Sequence, residues 1–151
     1  MKTLSKLGVV LALLPLAAGG SQADSSPGII NLEAEGLAWE VTQEGVAFAP
    51  LQGNRFEDAY MAMVRLPSGL VSPPHVKTAN MFGVVVSGTL THTAVGAAPA
   101  LETRLGPGSY YKIPAGLGHV SKCISTTECV TFLYQDGKFD FLPVAGEGQS
   151  Q

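Results

Sequence analysis

Apolar residues along this chain fall in short runs, interrupted about every eight to twelve residues by Gly, Pro, Asn or Ser. The stretch over 58–66 sets the pattern: Tyr60, Ala62, Val64 and Leu66 fall on one side of an extended chain, and Ala59, Met61, Met63 and Arg65 on the other. Comparable runs occupy 37–41, 45–48, 81–87, 89–94, 101–105, 119–124, 130–134 and 138–142. The segments 50–54 and 67–74 read as turns, as do Gly88 and 96–99. Past the N-terminal stretch no segment sustains a helical period. The pattern predicts an all-β sandwich or small barrel.

The exception is the N-terminus. Lys2 and Lys6 precede an apolar run over 7–18, and Ser21-Gln22-Ala23 supplies a small-x-small cleavage site. This reads as a secretory signal peptide over 1–23, too short for a membrane anchor, and places the mature chain in the periplasm or outside the cell. Removing it leaves 128 of the 151 residues, the size of one ordinary domain. Residues 24–36 read as a flexible lead-in, 37–142 as the folded domain, and 143–151, rich in Gly, Gln and Ser, as a disordered tail.

Charge narrows the partners. The formal charge of −3 becomes −5 once Lys2 and Lys6 are gone, and no basic patch stands out, which argues against nucleic acid. No second apolar run approaches the roughly 20 residues of a membrane span. Cys123 and Cys129 are six apart, and in an exported chain they read as a disulfide stapling a hairpin.

The densest punctuation lies at 106–123, where Gly108, Pro114, Gly116 and His119 follow one another at spacings of six, two and three. This resembles the second motif of the cupin superfamily. Upstream, Gly69 and His75 resemble the start of the first cupin motif, and Gly88 stands where that motif closes. Local phrasing such as Ser72-Pro73-Pro74-His75 is also similar to uncharacterised exported cupins near the ChrR-type cupin domains. The resemblance covers about 59–134. It implies a single-domain cupin, a small jelly-roll β-barrel that commonly pairs with a second copy and holds a metal at its mouth. Two histidines and a glutamate from the first motif, with a histidine from the second, are the ligands it implies.

Carried onto this sequence, the resemblance puts His75 and His119 at two ligand positions, but Lys77 at the second histidine and Met81 at the glutamate. Residues 75 and 77 share parity, so Lys77 would face the same cavity as His75. A protonated lysine coordinates no metal and repels a dication. Met81 offers only a soft thioether, suited to copper(I).

Three readings stay open. One is a barrel that binds a small, anionic molecule at a degenerate metal site, through His75, Lys77, His119, Met81 and Tyr111. Another is a metal-dependent cupin enzyme, oxidising or isomerising a small molecule, with a divalent ion of unknown identity on His75 and His119. The last is a structural or partner-binding barrel. Nothing in the sequence fixes the side on which His92 points, and a lone strand histidine is more often a surface or hydrogen-bonded residue than a ligand. Tyr110 and Tyr111 are adjacent and face opposite ways. No Gly-x-Ser-x-Gly elbow and no phosphate-binding Gly-x-x-x-x-Gly-Lys-Ser/Thr loop occurs.

Overall fold

The alternation of apolar and polar positions is realised in ten strands in a computed structural model that describes residues 28–98 and 102–144. The expected signal segment over 1–23 lies outside the described residues, as do 24–27, 99–101 and 145–151. Residues 28–31 are exposed and carry no regular structure. From Leu32 onward the chain forms one unit, beginning with a 3-10 turn at Ala34–Gly36.

The strands are β1 (Glu40–Val41), β2 (Ala47–Gln52), β3 (Tyr60–Leu66), β4 (His75–Val76), β5 (Met81–Ser87), β6 (Leu90–Ala94), β7 (Tyr110–Ile113), β8 (His119–Cys123), β9 (Cys129–Gln135) and β10 (Leu142–Pro143). They build a six-stranded sheet in the order β1-β2-β3-β9-β5-β7 and a four-stranded sheet in the order β10-β4-β8-β6. From β3 onward each strand lies in the sheet opposite its predecessor, so every connection crosses the barrel. That is the jelly-roll arrangement, and the expected all-β cupin fold holds.

The crossings explain the glycines of both motifs. Gly69, Gly88, Gly108 and Gly116 all have φ between +73° and +83°, the left-handed region that side chains disfavour. The inner faces carry the core: Phe48, Tyr60, Val64, Met81, Val85, Leu90, Tyr111, Ile113 and Leu133 are buried together. On β3 the even positions Tyr60, Ala62 and Val64 are buried, while Met61 and Met63 lie half-buried on the outer face. Cys123 and Cys129 form the expected disulfide, joining the end of β8 to the start of β9 at a Cα separation of 5.8 Å. It clamps one of the crossings between the sheets.

Four boundaries differ from the sequence reading. β2 runs through Pro50 to Gln52 where a turn was expected. β1 pairs only at Ala47 and Phe48, so Pro50 sits on a free edge where its missing N–H costs little, and the register shifts just beyond it. Leu101 of the run over 101–105 lies outside the described residues, and of 102–105 only Leu105 pairs, exchanging two backbone hydrogen bonds with Leu90. The run over 138–142 joins a sheet only at its end. Finally, the ordered chain passes the expected boundary at 142: Pro143 pairs with His75, and Val144 N–H donates to the Pro74 carbonyl.

Candidate functional site

His75 and His119 face each other as the registered pair between β4 and β8. Their ring centroids are 4.2 Å apart with planes inclined at 52°. His75 Nδ1 lies 2.9 Å from the Pro73 carbonyl and His119 Nδ1 3.0 Å from the Leu117 carbonyl. A carbonyl only accepts, so both rings carry the proton on Nδ1, leaving Nε2 as a bare acceptor. Phe141 stacks on His75 with ring centroids 4.0 Å apart.

Lys77 follows the strand into the same interior and is only 6% exposed. Its ammonium donates to the Asp140 carbonyl at 2.6 Å and lies 4.2 Å from the Phe139 ring centre. The Asp140 carboxylate is occupied elsewhere, accepting from the Thr78 N–H and hydroxyl. Ion pairs among the described residues join Arg55 to Glu40, Arg65 to Glu128 and Lys122 to Glu102, none of them involving Lys77.

His92 points inward. It stands opposite Ser121 in the β6–β8 ladder, with Nδ1 2.8 Å from the Ser121 hydroxyl and its ring 4.3 Å from that of Tyr111. Tyr111 is buried against Gly83, its registered partner on β5, and its hydroxyl meets Thr131 Oγ1 at 3.1 Å. A Cβ at Gly83 would fall 2.2 Å from that ring, so glycine is what lets Tyr111 lie flat.

These groups border a cavity of about 440 Å³, closed mainly by apolar side chains including Phe48, Val64, Met81, Leu133, Phe139 and Phe141. His75, Lys77, His92 and Tyr111 line it, whereas His119 sits behind His75 and is not among the lining residues. Burial pushes His75 and His92 down to about 4, with neighbouring histidines adding to both effects. Burial also lowers His119. Lys77 is pushed down to about 8 by burial, opposed by the charge of Asp140, and burial raises Tyr111 to about 12. At neutral pH the three imidazoles are therefore uncharged, and Lys77 carries the positive charge of the cavity.

Of the residues expected at the site, the fold brings His75, Lys77, Met81 and Tyr111 to one cavity and packs His119 against His75. The contributions of Phe139, Asp140 and Phe141 were not foreseen, although the alternation Phe-Asp-Phe places both rings on one side of an extended chain. The sequence left open the side on which His92 points; it points inward, opposite Ser121 and hydrogen-bonded to its hydroxyl.

A divalent metal does not fit this set. Two of the four implied positions supply an ammonium and a thioether. No group of three His, Cys, Asp or Glu side chains converges among the described residues. We expect protein purified without chelators to carry well under one metal ion per chain by elemental analysis. The K77H/M81E variant, which restores the imidazole and carboxylate, should then bind zinc or manganese stoichiometrically. Stoichiometric metal in the unaltered protein, lost in H75A/H119A, would show that the ligand set had been misjudged.

The barrel is similar to several solved structures. KdgF from Halomonas sp. aligns with a TM-score of 0.56 at 20% identity, over 70% of this chain and 93% of that one. The polyketide cyclase RemF from Streptomyces resistomycificus aligns at 0.60 and 15% identity, over 80% and 88%. An RmlC-like cupin from Shewanella frigidimarina aligns at 0.56 and 16% identity, over 69% and 86%. These likenesses carry the cupin fold. No curated protein matches the chain. Residues 22–147 match a family model described as a domain of unknown function, and the chain, a cupin barrel, is a member of that family, DUF4437.

Proposed function

We propose that this barrel binds a small, mainly apolar molecule whose oxygen-bearing head group, an anion such as a carboxylate, meets Lys77. The cavity carries this reading: its walls are mainly apolar, and among its polar lining groups, which include Thr42, Glu44, Ser72, Ser121 and Thr131, the buried Lys77 ammonium is the one cation. An ammonium has three donors, and Lys77 gives one to the Asp140 carbonyl, so two remain for a ligand. The uncharged imidazoles beside it add hydrogen bonds without adding charge. The buried Nε2 of His92, which lines the cavity, has no partner among the described residues, as expected of a group placed to meet something else or a water.

An open interior of this size favours ligand binding over a purely structural barrel, whose centre would be filled. The disulfide suits the expected export to an oxidising compartment. Hexanoate is a suitable probe. By calorimetry the unaltered protein should bind it, and hexanol, with the same chain and no charge, more weakly. Lys77→Met keeps length and volume but removes the charge, so affinity for hexanoate should fall about tenfold or more while affinity for hexanol holds. The same variant should be more stable by about 1 kcal/mol, because a buried ammonium without a carboxylate is replaced by an apolar group. Equal hexanoate affinity in both proteins would remove Lys77 from the site.

A further inference from the structure

We propose that Lys77 also captures carbonyl compounds covalently: a small aldehyde or ketone with an apolar tail enters the barrel and condenses with Nζ to an imine. This rests on the ligand-binding reading above and narrows the ligand to a reactive class.

The observations are those of an amine placed for nucleophilic work rather than for an ion pair. Lys77 is 6% exposed and borders a largely apolar cavity. Its nearest carboxylate, that of Asp140, is held by Thr78, and its own bond runs to a neutral backbone carbonyl. Phe139 covers the ammonium on one side. An amine in such surroundings is less strongly held in its protonated form than a hydrated surface lysine, and so offers its lone pair more readily. The other lysines of the described domain differ. Lys112 and Lys138 are exposed, and Lys122 is paired with Glu102 at 2.8 Å.

The step balances without a co-reactant. The Nζ lone pair adds to the carbonyl carbon, and the carbonyl oxygen becomes a hydroxyl as one N–H proton leaves nitrogen. The second N–H proton then leaves as the C–O bond breaks, and the hydroxyl departs as water, giving the C=N bond. Nothing is oxidised or reduced. His75, with a bare Nε2, borders the same cavity and is a neutral acceptor suited to taking and returning those protons.

The test incubates the full chain with hexanal and cyanoborohydride, which reduces an imine to a stable secondary amine, and maps the modified lysines by peptide mass spectrometry. Hexanoate binding is measured on the same preparation. Lys77 should be labelled about tenfold or more over Lys112, Lys122 and Lys138, with excess hexanoate suppressing the labelling of Lys77 alone. Lys77→Met should lose that adduct and keep the surface background. If hexanoate binds but Lys77 labels no faster than the surface lysines, the imine proposal is overturned and the ligand-binding reading stands. If hexanoate does not bind and Lys77 is unlabelled, both fall.

Discussion

Acidifying the protein from pH 7 to pH 4 should cost on the order of 3–5 kcal/mol of stability, a large part of what a domain of this size possesses. His75 and His92 have folded pKa values near 4, against 6.5 for a free imidazole. Between those limits the unfolded chain binds more protons than the native one, so acid favours unfolding. The contribution is fully present above about pH 6.5 and is lost as the pH falls towards 4. A tenfold difference in proton affinity between the two states corresponds to about 1.4 kcal/mol, and the sum is discounted here because water reaches the cavity. His119, lowered for the same reason, acts in the same direction. Lys77 gives the opposite end of the profile. Its pKa falls from 10.5 to about 8, so stability should climb as the pH rises from 8 until the tyrosines begin to titrate. Urea midpoints at pH 7, 5.5 and 4, for the unaltered protein and His92→Leu, would measure the effect. A flat profile between pH 7 and 4.5 would mean that the imidazoles are better hydrated than their burial implies.

The second large effect is at Gly88→Ala, which should destabilise the barrel by about 2–4 kcal/mol. Gly88 has φ +78°, and a methyl group there would sit 2.8 Å from Cys129 Sγ and 2.9 Å from Cys129 Cα. The left-handed backbone accounts for about 1 kcal/mol of the cost. The remainder comes from pushing against a residue that cannot yield, since Cys129 is fully buried, bonded to Cys123 and paired with Leu66 on β3. Gly108→Ala is the control: its φ is +83°, but among the described residues no atom beyond its chain neighbours lies within 4 Å of the added methyl. It should therefore lose only the backbone part. Chemical denaturation of the two variants side by side separates strain from collision, and equal losses would show that packing at Cys129 adds nothing.

Much of the barrel was legible because its rules are local. Alternation along β3, β5 and β9 marks strands, and glycine marks the crossings where φ must be positive. The positions of His75 and Lys77 followed from parity on a short strand. What stayed hidden depended on partners far away in the chain. Pro50 looked like a turn because sequence cannot show that its edge is unpaired. The inward turn of His92 depends on Ser121, 29 residues further on. The run ending at Leu142 looked like an ordinary strand, whereas its residues 139–141 are irregular and furnish the contacts to His75 and Lys77. The degenerate ligand set was visible from the first motif, but not that the space around it is an apolar cavity, since that depends on which faces the two sheets turn inward.

The strand carrying His75 is two residues long, and its outer neighbour, β10, is another two. Few backbone bonds hold this flank, while β3, β9 and β5 are joined by long ladders. Amide exchange with deuterated water should therefore run fast along β4 and β10 and slowly across the larger sheet, because the flank opens at a fraction of the global free energy. Such breathing gives the interior a way out to solvent beside the groups proposed to bind a ligand there. Guests would enter and leave by brief fraying of a sheet margin, and residence times would report the strength of that margin as much as affinity for the walls.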